Sequence, residues 1–277
     1  MAEKQQVALV TGANTGIGRA TALALAKRRM HVVVACRSEE KGRAAVADIR
    51  REASSDAVDL LPLDLGSLAS VRRGAAAFLA RGLPLTLLVN NAGVAGQRGR
   101  TADGFELHFG TNHLGHFLLT QLLLDRITTS APARIVNVAS KAHLDAKPIE
   151  WTSLQGSTRS FTGLPEYAVS KLANILFTKE LARRLAGTGV TVYALHPGVV
   201  ASDAWRRIPW PIRPLITRNM LSNDDGALTT LHCATSVEAG NETGLYYDHS
   251  TVREPLPLAN DAALARELWE RSERWVA

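Results

Sequence analysis

Two cysteines, Cys36 and Cys233, are all the thiol chemistry that the 277 residues hold. That is too few for a disulfide framework, and neither sits at a metal-ligand spacing, so both read as reduced structural residues and no metal is expected. No apolar run reaches the roughly 18 residues that a membrane-spanning helix needs. The opening MAEKQQ leads straight into a strand-like VALV instead of a signal-peptide apolar region, which makes a soluble, cytoplasmic protein the expectation. Aromatic residues are scarce at 5%, and none interleaves with the paired arginines. Those pairs, Arg28-Arg29, Arg50-Arg51, Arg72-Arg73, Arg183-Arg184 and Arg206-Arg207, fall on separate predicted helices or loops. The net charge of +6 therefore reads as solvated surface, and no nucleic-acid partner is expected.

What the chain does have is the composition of a globular protein, 46% hydrophobic and 21% charged. Its length suits one large domain over residues 1–277 better than two. Short β-branched runs at 7–11, 31–35, 58–63, 85–90, 133–138, 190–196 and 243–247 alternate with helical patterns at 17–29, 39–52, 67–81, 101–126 and 166–186. This alternation predicts βαβ units, and the continuous apolar strands predict helices on both faces of the sheet. The expected fold is an α/β, doubly wound parallel sheet of seven strands, a single-domain Rossmann fold. Two long stretches interrupt the rhythm: a polar insertion at 141–165, and a Trp-, Pro- and Arg-rich loop at about 201–225.

After the first strand, Thr11-Gly12-Ala13-Asn14-Thr15-Gly16-Ile17-Gly18 forms a turn that opens a helix. Gly12 permits the tight turn, Gly16 lets backbone approach a pyrophosphate, and Gly18 allows close helix packing, with the phosphates at the helix N-terminus. The second strand ends Ala35-Cys36-Arg37-Ser38 with no acid to hold a ribose 2′-OH, and Arg37 suits a 2′-phosphate instead. NADP(H) is the expected cofactor. Asp64, next to Leu65 after the third strand, has two open readings: acceptor for an adenine amino group, or cap of the following helix. In Asn90-Asn91-Ala92-Gly93, Ala92 and Gly93 leave room for backbone to pass close to a cofactor.

Tyr167 and Lys171 lie four apart on a predicted helix, so both leave one face. An ammonium near a phenol favours the phenolate, which makes the pair a tunable acid and base. Ser140 follows the fifth strand at the edge where doubly wound folds bind ligands, and its hydroxyl suits a substrate oxygen. Asn112 is awkward inside a helix unless its side chain has a task, catalytic or structural.

Together these segments resemble the short-chain dehydrogenase/reductase family. TGANTGIG at Thr11–Gly18, NNAG at Asn90–Gly93, Asn112 in TNHLGHF, Ser140 in IVNVAS, the YAVSK that starts at Tyr167, and His196-Pro197-Gly198 occur in the family's order over nearly the whole chain. VACRS, SKLANILFTKELARRL, YALHPGVV, TGLYYDHS and a trailing LWERSE resemble its retinol dehydrogenase and WW-domain oxidoreductase branch.

The resemblance implies a catalytic set of Asn112, Ser140, Tyr167 and Lys171, in an alcohol dehydrogenase or carbonyl reductase. Tyr167 would be the acid/base, and Lys171 would bind the nicotinamide ribose and lower the tyrosine pKa. Ser140 would position the carbonyl, and Asn112 would hold a relay water. The cofactor would touch Gly12, Asn14, Thr15, Gly16, Ile17, Gly18, Arg37, Asp64, Leu65, Asn91, Ala92, Gly93, Tyr167, Lys171, Pro197, Gly198 and Val200. Ser202 would stand where family members commonly carry a threonine bonded to the cofactor carboxamide.

A homodimer or homotetramer is the association that the family's large apolar helices suggest. Trp205, Ile208, Pro209, Trp210, Pro211, Ile212, Leu215 and Met220 offer apolar surface, either over a lipophilic carbonyl or alcohol substrate or in a subunit or lid interface. The competing class is a catalytically silent protein that senses NADP(H) on the same fold.

Overall fold

A computed structural model describes residues 5–198 and 221–277. Seven parallel strands and one short antiparallel strand form a single sheet in the order β3-β2-β1-β4-β5-β6-β7-β8. In chain order the strands are β1 (Val7–Thr11), β2 (His31–Cys36), β3 (Val58–Pro62), β4 (Leu87–Asn90), β5 (Ala133–Val138), β6 (Val190–His196), β7 (Leu245–Asp248) and β8 (Thr251–Val252). The seven expected strands are thus present, and the eighth is a correction. β8 has two exposed residues that pair antiparallel with β7, too short and too wet to leave an apolar pattern.

The helices are α1 (Gly16–Lys27), α2 (Glu39–Ala53), α3 (Leu68–Leu79), α4 (Gly115–Thr129), α5 (Leu164–Arg184), α6 (Asn223–Thr235) and α7 (Ala262–Val276). Strand side chains alternate between two cores. Leu9, Val33, Leu88, Ile135 and Val192 meet α3, α4, α5 and α7 on one face. Val10, Val32, Val34, Val89 and Val136 meet α1, α2 and α6 on the other. Both faces are dry, which is why these strands read as unbroken apolar runs. α7 lays Trp269 against Phe117 of α4 and Phe177 of α5, ring centroids 5.1 and 5.9 Å away.

The single helix expected at 101–126 is a second correction. Residues 101–106 form turns and isolated bridges, winding starts at Leu107, and a π-turn at Phe109–Leu114 precedes α4. The buried Glu106 carboxylate accepts the backbone N–H groups of His108 and Phe109, at 2.8 and 2.9 Å. A side chain that takes these two donors starts the helix there, several residues later than the apolar spacing suggested.

Strand order reverses between β1 and β4, so a crevice opens beyond their carboxyl ends. Beneath it the fold buries histidines in their neutral form. Burial pulls His113 down to about 3 and His116 and His196 to about 4, from the usual 6.5. The unfolded chain takes up protons below that usual value while the native chain refuses them, so stability is lost as pH falls. The melting temperature should drop steadily between pH 6.5 and 4, and a flat profile over that window would contradict neutral burial of these rings.

Candidate active site

The glycine turn lies between β1 and α1, and its backbone shape is what the cradle requires. Gly12 and Gly16 adopt φ of +67° and +57°, in the left-handed region. At Gly18 a Cβ would stand 2.5 Å from both the Gly12 carbonyl oxygen and Asn91 Nδ2, so the glycine serves the turn itself and not only helix packing. At Gly16 the nearest described atom to a Cβ would be Asn223 Oδ1, at an ordinary contact distance of 3.7 Å, so the positive φ and not crowding calls for glycine there. The first turn of α1 carries no acid, so nothing there opposes an anion.

Around this turn runs a cleft of about 390 Å³ bordered by Gly12, Asn14, Thr15, Gly16, Ile17, Gly18, Arg37, Asp64, Leu65, Asn91, Ala92 and Gly93. Every residue expected on this half of the site borders it. Arg37 is exposed just beyond β2. Asp64 is not the cap of α3, since Ser67 takes that place by accepting from Ser70 N. Its Oδ1 instead accepts from Gly66 N at 3.0 Å and steadies the turn over the cleft.

A second cleft of about 750 Å³ shares the wall from Asn91 to Ala95 and continues past Ser140, Tyr167, Lys171, Pro197 and Gly198. Its walls are mostly apolar. Val200 and Ser202 lie outside the described residues, as do Trp205, Ile208, Pro209, Trp210, Pro211, Ile212, Leu215 and Met220 of the long loop.

α5 starts after Gly163, whose φ of +70° sharpens the entry, with a proline in its first turn. Tyr167 is half-buried and lines the same cleft as Ser140. Burial raises the phenol above its usual value, and the nearby Ser140 hydroxyl pulls against that rise. Lys171 is buried, with Nζ 5.5 Å from the Tyr167 ring centroid and donating to the Val138 carbonyl at 2.8 Å. Loss of water brings its ammonium down to about 8, so it stays mostly charged at neutral pH. Ser140 follows β5 in extended backbone, and its Oγ accepts from Ala142 N at 3.2 Å. One lone pair is thereby taken, and the residue lines the cleft together with Tyr167.

Asn112 sits in the π-turn behind the wall. Its Oδ1 accepts from Val94 N at 2.8 Å, and its Nδ2 donates to Val94 O and Ser170 Oγ, both at 3.0 Å. Both ends of the side chain are therefore committed to structure. Gly93 lies against it: a Cβ there would stand 3.2 Å from Asn112 Oδ1 and 3.6 Å from Lys171 Nζ.

Two residues outside the expected set hold these parts together. The Thr11 hydroxyl accepts from Asn91 N and Ala92 N, each at 2.9 Å, so its proton must be donated. The nearer acceptor is His116 Nε2 at 2.8 Å, against 3.4 Å to the Val89 carbonyl. His116 therefore carries its proton on Nδ1 and donates it to the Asn112 carbonyl at 2.9 Å. Thr11 was visible as part of the glycine motif; nothing in the local pattern marked His116.

A family model described as short chain dehydrogenase matches residues 6–210. The chain belongs to that family. Retinol dehydrogenase 13 of Homo sapiens is 44% identical over 277 residues, spanning 97% of this chain and 83% of that protein. Retinol dehydrogenase 12 of Mus musculus is 45% identical over 273 residues, spanning 96% and 85%. Among solved structures, an uncharacterized protein from Mycobacterium Paratuberculosis superposes with a TM-score of 0.77 at 35% identity, covering 98% of this chain and 93% of the other. A variant of actinorhodin polyketide ketoreductase with NADPH gives 0.69 at 28% identity, covering 89% and 96%. The chain is thus a nicotinamide-dependent oxidoreductase of the short-chain type. Because a Cβ at Gly18 collides with backbone, Gly18→Ala should weaken nicotinamide-cofactor binding at least about ten-fold and lower the melting temperature, since overpacking of this kind costs roughly 1–3 kcal/mol. Unchanged titration and melting curves would mean that the turn is softer than its geometry implies.

Proposed function

We propose that this member reduces lipophilic carbonyls, or oxidises the matching alcohols, with NADP(H) as cofactor and Tyr167 as acid and base. The observation that carries the reading is that Ser140, Tyr167 and the buried Lys171 line one apolar cleft where it joins the glycine cradle. Gly12, Gly16 and Gly18 fit a dinucleotide pyrophosphate, and Arg37, with no acid beside it at the end of β2, fits a 2′-phosphate. The NADPH in the ketoreductase structure and the NADP in that of Pseudomonas aeruginosa RhlG, 26% identical, support the same preference.

When bound, the nicotinamide ring supplies or takes the hydride. In the reducing direction Ser140 donates its hydroxyl proton as a hydrogen bond to the substrate oxygen and orients it beside Tyr167. As the carbon gains hydride its oxygen becomes negative, and the Tyr167 O–H delivers the proton that completes the alcohol. The tyrosinate left behind lies next to the Lys171 ammonium, a positive charge that favours the anion. Asn112 spends both amide protons and one Oδ1 lone pair on Val94 and Ser170, so the relay water implied by the family would use the other Oδ1 lone pair or the main chain. Trp269 covers apolar surface of α4 and α5 within the chain, which weakens the sequence-based case for a dimer or tetramer built on those helices.

Tyr167→Phe should lower kcat by roughly 10²–10⁴-fold while NADPH still binds in a fluorescence titration. Normal turnover in that variant would end the assignment of the proton step. Arg37→Ala should weaken NADPH by about 10- to 100-fold, the worth of a charge-assisted pair, and leave NADH nearly unaffected. Equal losses with both cofactors would remove the case for a 2′-phosphate contact.

A further inference from the structure

His143 lies three residues past Ser140, in the single 3₁₀ turn Lys141–Asp145, and is 1% exposed. Its ring has two polar partners of fixed character. Nδ1 is 2.6 Å from the carbonyl oxygen of Ser140, which can only accept. Nε2 is 3.1 Å from the backbone N–H of Leu256, which can only donate. Only one form of the ring satisfies both: neutral imidazole, with the proton on Nδ1 and a lone pair on Nε2. Burial lowers the pKa of this histidine, in keeping with that form. The Ser140 carbonyl also receives the His143 backbone N–H at 3.1 Å, so both of its lone pairs are engaged.

A second tie runs in parallel. Lys141, the residue directly after Ser140, reaches Asp248 Oδ2 at 2.9 Å. Asp248 ends β7, and Tyr246 on the same strand takes the His143 ring edge-on, centroids 4.9 Å apart. Asp248 and Leu256 both lie beyond residue 210, where the match to the family model stops. The turn that carries the reactive serine is therefore anchored by the last part of the chain, over 113 residues of sequence in the case of the histidine.

We propose that His143 is a positioning residue for the reaction. As a neutral bridge from the Leu256 N–H to the Ser140 carbonyl, it holds the serine in place on the cleft that it shares with Tyr167, and it makes that placement depend on the C-terminal segment. The inference rests on the assignment of Ser140 and Tyr167 given above, and its test is separable from theirs.

The full chain with isotopically labelled tyrosine rings has four tyrosines to observe, and Tyr167→Phe identifies the resonance of interest. Ser140→Ala shows which way that resonance moves when the serine hydroxyl is lost. His143→Phe keeps a ring against Tyr246 and deletes both hydrogen bonds. Leu256→Pro deletes the backbone donor, together with the leucine side chain, and leaves the histidine in place, at a φ of −48° that proline accepts. Both variants should move the Tyr167 resonance in the direction of Ser140→Ala. Both should also lower kcat for decanal reduction with NADPH by roughly 10- to 100-fold, as expected for a displaced reactive group, with the KM for NADPH nearly constant. Combining them should cost little more than His143→Phe alone, because the two act through one bridge. His143→Asn, whose amide retains a donor near Nδ1, should recover part of the loss.

A Tyr167 resonance that stays in place in folded His143→Phe, or additive losses in the double variant, would overturn the proposal. If Leu256→Pro fails to fold, His143→Phe and His143→Asn decide the question by the same resonance. Should Tyr167→Phe itself turn over normally, the reading of the proton step fails, whereas the resonance still reports whether His143 sets the placement of Ser140.

Discussion

The Thr11 hydroxyl joins the two halves of the sheet where strand order reverses. It receives Asn91 N and Ala92 N from the end of β4, and it gives its own proton to His116. Because every lone pair and proton on that oxygen is used, the three segments it touches have one relative placement. His116 passes the constraint on to the Asn112 carbonyl, and Asn112 grips Val94 and Ser170 in turn. Ser170 Oγ donates to the carbonyl of Tyr167 at 2.7 Å. The glycine cradle and the catalytic helix are thus connected through buried, satisfied polar groups, a network in which no member moves independently.

Such a network carries an energetic penalty that the apolar cores must offset. A buried ammonium at Lys171 and neutral histidines at 113, 116 and 196 each forgo water, and their lowered pKa values record that loss. A structural role alone would be served better by apolar side chains of similar size. Such a concentration of shifted groups is the physical mark of a candidate functional site. Lys171 does both jobs: it donates to the Val138 carbonyl at the end of β5 and stands beside the Tyr167 ring.

Local signals carried much of the architecture. The seven parallel strands, the glycine turn, and the Tyr167–Lys171 spacing on one helical face all depend on residues within a few positions of each other. Signals failed where a distant or unusual partner intervened. The apolar spacing over 101–126 suggested one helix, but Glu106 captures the first helical donors and a π-turn resets the phase at Asn112. α7 gave no catalytic motif, although Trp275 packs on Phe105 and Phe109 within 5.7 Å and so braces that same turn. Asp64 had two readings in sequence, and only its bond to Gly66 removed the helix-cap alternative.

Short motifs and periodicity were enough for the family, the doubly wound topology and the naming of candidate site residues, because both act through neighbouring residues. Tertiary structure decided how those residues are held. The proton positions on His116 and His143, the commitment of the Asn112 side chain, and the anchoring of the serine turn to Asp248 and Leu256 depend on partners up to 113 residues away. No local pattern encodes such a partner. A buried polar group takes whichever complement the finished packing brings within reach.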